Sequence, residues 1–120
     1  MKSFLNKEIN SFKNAFNGIK LLISSERHFQ YHILAVFLTI LVNLILGISK
    51  SEWLVILLCF AIVLSTEAIN TSLEKMLDVI HPARANWVKE AKDIAAASVL
   101  ISSLISFIIA LIIWIPKIME

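Results

Sequence analysis

The chain has little of what punctuates or staples a soluble domain. Cys59 is its one cysteine and stands in an apolar run, so an intrachain disulfide and a thiolate metal cluster are both excluded. It reads as a small buried hydrophobe. Gly18, Gly47, Pro82 and Pro116 are the only helix-breaking residues in 120 positions, which predicts long uninterrupted helices in one domain. Charge is scarce too, at 17% of residues with a formal net charge of +2, too weak a surplus to suggest a nucleic-acid partner. There is no G-x-x-x-x-G-K-[ST] loop, no G-x-G-x-x-G and no H-R-D or D-F-G set, so any bound phosphate would be held without a glycine loop.

What the chain does have is apolar side chain, 58% of residues. A soluble domain of this length could not bury so much, because small domains have too much surface. The surplus must face lipid or other subunits. Residues 4–24 place Phe4, Leu5, Ile9, Phe12, Phe16, Ile19 and Ile23 on one helical stripe, with Lys7, Lys13, Asn14, Asn17 and Lys20 on other faces. An aromatic stripe with a lysine-rich back fits a helix lying in the membrane interface. No small-residue cleavage pattern follows it, so a signal peptide is not expected.

Three spans follow, at 29–48, 53–78 and 94–115, each near or above the ~20 residues needed to cross the hydrocarbon core. Trp53 and Trp114 stand at depths that tryptophan favours. Ser49 to Glu52 reads as a short turn, Pro82 ends the second helix, and Ala83 to Lys92 reads as a polar connection. Nine lysines and arginines flank the N-terminal side and that connection, against Lys50 and Lys117 on the other side. The bias predicts a cytoplasmic N-terminus and a cytoplasmic 78–93 connection. The fold class expected is therefore all-α and integral to the membrane, an interfacial helix followed by three transmembrane helices. Ala96 and Ser103 are among the small residues that let helices approach closely.

The second span changes character at Ser65. Glu67, Asn70, Glu74 and Asp78 follow at steps of three, four and four, so the last three lie within about 60° of Glu67 and form one acidic stripe. An ionised carboxylate facing lipid costs roughly 2.5–3.5 kcal/mol, so Glu67 must face a neighbouring helix, water or a cation. Asp78 is read equally well as an interfacial charge that only reaches water. Glu26 lies just before the first span and Lys92-Asp93 just before the third, so all three helices bring acids to one membrane face. Clustered carboxylates suit Mg²⁺, a hard cation that takes oxygen ligands, and a lysine beside them can neutralise phosphate. A phosphoryl transferase built this way would hold ATP with side chains and metal. His28 and His32 have a spacing that zinc sites use, but no third soft ligand accompanies them, and they are read as solvated or interfacial.

Glu67-Ala-Ile-Asn70-Thr71-Ser72-Leu73-Glu74, followed by Lys92-Asp93-Ile-Ala-Ala-Ala-Ser-Val-Leu, resembles the signature of the prokaryotic diacylglycerol kinase family, which includes undecaprenol kinases. The likeness extends to Phe12-Lys13-Asn-Ala-Phe16-Asn-Gly18, to Glu26-Arg27 and to the spacing of the spans. It implies a homotrimer with composite sites in a bacterial inner membrane. The reaction implied is transfer of the ATP γ-phosphate to the hydroxyl of undecaprenol or diacylglycerol, in phospholipid or envelope-lipid recycling. By that resemblance Glu67 matches the general base, Glu26 and Glu74 the magnesium ligands, Lys92 and Asp93 nucleotide contacts, and Asn70 a site-organising group. Asn14 stands where diacylglycerol kinases carry a nucleotide-holding aromatic, Lys7 stands near an N-terminal basic contact, and His32 replaces a second glutamate. Ala83 to Asn86 lacks the glutamate–tyrosine–histidine run common there. Trp53 and the Ile115-Pro116-Lys117 ending look more like the undecaprenol kinase branch.

Two other classes remain open to the residues. A small proton-coupled transporter also uses an intramembrane glutamate, but here the acids lie at one end of the spans and no inverted repeat is present. A non-catalytic membrane module would leave the acidic stripe without a role.

Overall fold

The computed structural model describes residues 1–81 and 85–120. Pro82, Ala83 and Arg84, and with them the expected proline stop and part of the polar connection, lie outside the described residues. Four helices follow one another: α1 (Lys2–Ser25), α2 (Arg27–Leu46), α3 (Lys50–Ile80) and α4 (Asn86–Met119). The last three are long and apolar enough to cross a membrane. Most of the apolar surface of each is left uncovered within one chain, which is the surface a bilayer or further subunits would cover.

Each helix junction has a local cause. α1 and α2 are separate because Glu26 adopts an extended conformation (φ −102°, ψ 107°) between them. α1 buries no residue, and its phenylalanine stripe is exposed. α2 ends at Gly47, which takes the left-handed conformation at φ 61° that a Cβ would strain. Ser49 to Glu52 differs from the expected turn. Ser49 is an N-cap whose hydroxyl accepts from the Glu52 amide at 3.2 Å, while its own amide donates to Glu52 Oε2 at 2.6 Å. That reciprocal capping box makes Lys50 to Glu52 the first turn of α3.

α4 is longer than the apolar span at both ends. Asn86 to Lys92 is polar but rich in helix formers, so it continues the helix outside the hydrophobic stretch. At the far end Pro116 lies inside the helix, within its last turn, and leaves the Ile112 carbonyl without its usual amide partner.

α3 and α4 make the most extensive contact in the molecule, and α3 also meets α2. Glu52 pairs with Lys117, Thr66 with Ser102 and Asp78 with Lys92. Numbering rises along α3 as it falls along α4, so this antiparallel hairpin keeps one register from end to end. An apolar core of Ile48, Ile56 and Ala110, flanked by Trp53, Phe60 and Trp114, closes the end remote from the acidic stripe. There Trp114 Nε1 donates to Asn43 Oδ1 at 2.7 Å, and Asn43 is wholly buried.

Candidate active site

The acidic stripe of α3 runs from dry to wet. Glu67 is 4% exposed and Asn70 and Thr71 are also buried. One turn on, Glu74 is half-buried, and the Asp78 side chain is 65% exposed. The helical period places these residues on one face, and the neighbouring helices cover only its membrane-ward part.

Glu67 faces α2. Its Oε2 lies 3.6 Å from His32 Nε2, beyond hydrogen-bond range but within reach of a charge pair. This corrects the reading of His32 as a solvated or interfacial histidine: its side chain is 22% exposed and turned to the buried acid. Helical periodicity alone gives the face of a residue and not the neighbour it meets.

Nearer the stripe's wet end, Glu26 accepts a hydrogen bond from Lys75 Nζ at 2.8 Å and one from Ser25 Oγ at 3.3 Å. The Lys75 hydrogen bond holds the Glu26 carboxyl below the usual carboxylate range; burial opposes it, and the Lys75 charge and the Ser25 hydroxyl add smaller lowering effects. Lys75 entered the sequence reading only as one of the nine basic residues that set topology, with no role at the site. Its place beside Glu74 hides a side chain that reaches the α1–α2 junction.

Lys92 of α4 bridges to Asp78 of α3, so the expected nucleotide lysine does join the acidic stripe. Asp93 instead bonds Lys89 at 2.7 Å, one turn back on its own helix and exposed. A cavity of about 250 Å³ is lined by Ala85, Asn86, Val88, Lys89, Lys92 and Asp93. It gathers both residues of the lysine–aspartate motif. Lys7 and Asn14 stand exposed along α1 and are not tied to these groups by any ion pair.

A second cavity, of about 230 Å³, opens among α2, α3 and α4 and reaches His32, the residue that faces Glu67. His32 lines it together with Thr39, Val63, Cys59, Phe107 and Trp114. Its lining is mainly apolar, with His32, Thr39, Ser103 and Ser106 among its polar groups. Asn70 Oδ1 is buried with no hydrogen-bond partner, so an acceptor is left free between Glu67 and Glu74. Among the described residues no group of three or more acids, histidines or cysteines is arranged to hold a metal by itself.

A partly dry acidic face, a basic residue bridged to it and an apolar slot at its inner end suit chemistry on a lipid at the membrane surface. The family described as prokaryotic diacylglycerol kinase matches residues 13–114. An undecaprenol kinase of Bacillus subtilis (strain 168) is 35% identical over 113 residues, covering 94% of this chain and 92% of its own. A diacylglycerol kinase of Haemophilus influenzae is 29% identical over 94 residues, covering 78% of this chain and 80% of its own. One from Synechocystis is 26% identical over 111 residues, covering 92% and 63%. No solved structure matches the chain significantly. These matches remove the transporter and the non-catalytic module from consideration. The chain belongs to the prokaryotic diacylglycerol kinase family and is a membrane lipid kinase, a phosphotransferase with an alcohol acceptor.

Proposed function

We propose that the protein transfers the γ-phosphate of ATP to the hydroxyl of a long-chain lipid alcohol at the cytoplasmic face of a bacterial inner membrane, with Glu67 as general base. The carrying observation is the burial of Glu67 at 4% exposure on a stripe that otherwise leads to water. A carboxylate is kept there for a proton that comes from the lipid side. Undecaprenol and diacylglycerol both present such a hydroxyl. The likeness to the Bacillus subtilis undecaprenol kinase, at 35% against 29% for the Haemophilus influenzae diacylglycerol kinase, favours undecaprenol. The phosphorylated lipid would re-enter phospholipid or envelope-lipid recycling.

The acceptor lies along the apolar slot with its hydroxyl at Glu67. The carboxylate takes the hydroxyl proton as the oxygen bonds to the γ-phosphorus and the bond from that phosphorus to the β-bridging oxygen breaks. ADP leaves with the bridging oxygen. Proton removal by a placed carboxylate contributes typically ~10²–10⁴-fold. Asn70 offers its free carbonyl oxygen between base and phosphates, and Lys92, with Asp93 and Lys89 around it, lies where phosphate charge would need neutralising. Lys7 and Asn14 would meet the nucleotide from α1.

Glu26 and Glu74 are the proposed Mg²⁺ ligands. Two carboxylates would supply the charged oxygens that this hard cation takes. When bound, it would screen the charge of the transferring phosphate. The uncovered apolar surface of α2–α4 supports assembly as a homotrimer, and the exposed phenylalanine stripe of α1 supports its lying in the interface.

Glu67→Gln tests the reading. The amide keeps shape and hydrogen bonding but cannot take a proton. With radiolabelled ATP and undecaprenol or diacylglycerol side by side, turnover should vanish while nucleotide binding stays near that of the parent. Substantial turnover in the variant, or loss of ATP binding as complete as in Glu74→Gln, would remove Glu67 from the role of base.

A further inference from the structure

Two features of the bundle meet at His32. Its Nε2 lies 3.6 Å from Glu67 Oε2, and the two side chains are 22% and 5% exposed. The lysines of the same membrane face are turned to other acids, Lys75 to Glu26, Lys92 to Asp78 and Lys89 to Asp93. Among the described residues His32 is thus the side chain that the bundle sets opposite its buried acid. The same imidazole also lines the 230 Å³ slot, whose other lining groups are uncharged. Ser103 lines that slot as well and keeps a buried hydroxyl with no partner, so polar capacity is left unused in the slot.

A carboxylate taken this far out of water is stable only with a partner that limits its freedom. At 3.6 Å the contact is too long for a hydrogen bond. Catalytic contacts are often loose before substrate arrives and tighten in the reacting complex. An imidazole on α2 that faces both the acid and the slot can close on Glu67 when the acceptor fills the slot.

We infer that His32 is a positioning residue for Glu67, holding the carboxylate at the mouth of the slot in the orientation that receives the acceptor's proton. The inference rests on the reading of Glu67 as base. His32 takes no part in bonds made or broken. It fixes where the accepting oxygen points, and a misplacement of the order of 1 Å costs about 10²-fold in rate.

The test uses purified full-length protein with His32→Ala, His32→Gln and His32→Asn, assayed beside Glu67→Gln. The contact is made through Nε2. A glutamine amide nitrogen reaches as far from the backbone as Nε2 does, and an asparagine falls short. Alanine and asparagine should lower kcat by about 10–10²-fold. The KM for ATP should stay within about twofold and the thermal midpoint should be unchanged. Glutamine should restore most of kcat. Parental kcat in His32→Ala overturns the inference, and so do glutamine and asparagine failing alike with a lowered thermal midpoint, which is the mark of a packing role. If Glu67→Gln is inactive and His32→Ala is fully active, the positioning role alone falls. If Glu67→Gln is active, the base reading falls and takes this role with it.

Discussion

Replacing Lys75 by glutamine separates the structural and the metal-binding roles of Glu26. In the structure Lys75 Nζ holds Glu26 Oε1 at 2.8 Å, with the lysine side chain 57% exposed and the glutamate 24%. Two unit charges about 4 Å apart attract by ~1 kcal/mol in water and ~4 kcal/mol at an effective dielectric of 20. The exposure of Lys75 puts this pair toward the watery limit, where measured values are about 0.2–1 kcal/mol. Lys75→Gln should therefore cost less than about 1 kcal/mol of stability. If Glu26 binds Mg²⁺, the ion must first displace this lysine. Its removal should lower the half-saturating Mg²⁺ concentration by up to about fivefold, the equivalent of ~1 kcal/mol. Titration of ATP turnover with Mg²⁺ measures this directly. The pH dependence carries a second signature. The Glu26 value is depressed in the folded state by the Lys75 hydrogen bond, so the pair's contribution is complete above the unfolded carboxylate value of ~4.3. It is lost as pH falls through the lower folded value. Parent and variant should thus differ in thermal midpoint near neutrality and converge in acid. An unchanged Mg²⁺ requirement would refute Glu26 as a ligand, and a raised one would place Lys75 on the nucleotide instead.

Three further outcomes are expected. In a Cys59→Ala background, a membrane-impermeant thiol reagent applied from outside should label a cysteine at position 50 and not one at position 90; the reverse would invert the topology. Crosslinking in native membranes should run to a trimer, and a ladder ending at dimer contradicts that assembly. Asn43→Leu strands the Trp114 indole N–H by removing its 2.7 Å acceptor, while also removing a buried amide nitrogen that has no partner of its own. The two effects oppose, and interhelical hydrogen bonds in membranes average only ~0.6 kcal/mol, so the thermal midpoint in detergent should move little with lipid kinase activity retained. A collapse of the fold would show that the pair is worth far more than that average.

The helices and their order were legible because composition leaves the chain few alternatives: apolar runs of spanning length and almost no breakers. The acidic stripe was legible because the helical period is fixed, so the spacing of Glu67, Asn70, Glu74 and Asp78 places them on one face whatever packs against it. Ends and partners were harder. Hydropathy marks where a helix meets lipid and not where it stops, which is why α4 begins at Asn86 instead of Ile94. The Ser49 to Glu52 segment contains a capping box, but four polar residues between two spans read first as a turn. Contacts such as Glu67 with His32 and Trp114 with Asn43 depend on the register between helices. A single sequence carries no direct record of that register.

The register also fixes how deep the proposed base lies. Glu52 and Lys117 pair at 3.3 Å at the end of the bundle remote from the acidic stripe, where both reach water. Along a straight α3, Glu67 is about 22 Å from the level of Glu52 and Glu74 about 33 Å. A hydrocarbon core is ~30 Å thick. With Glu52 at one boundary, Glu67 lies some 8 Å inside the other and Glu74 just beyond it. The exposure gradient follows the same order, from the buried Glu67 to the half-buried Glu74 to the largely exposed Asp78. A lipid hydroxyl anchored near the interface can therefore reach Glu67 without leaving the membrane, and a polyphosphate can reach Glu74 without entering it. The two substrates would meet across two turns of one helix. A stripe one turn (~5.4 Å) deeper would draw Glu74 into the hydrocarbon, and one two turns shallower would carry Glu67 out to water.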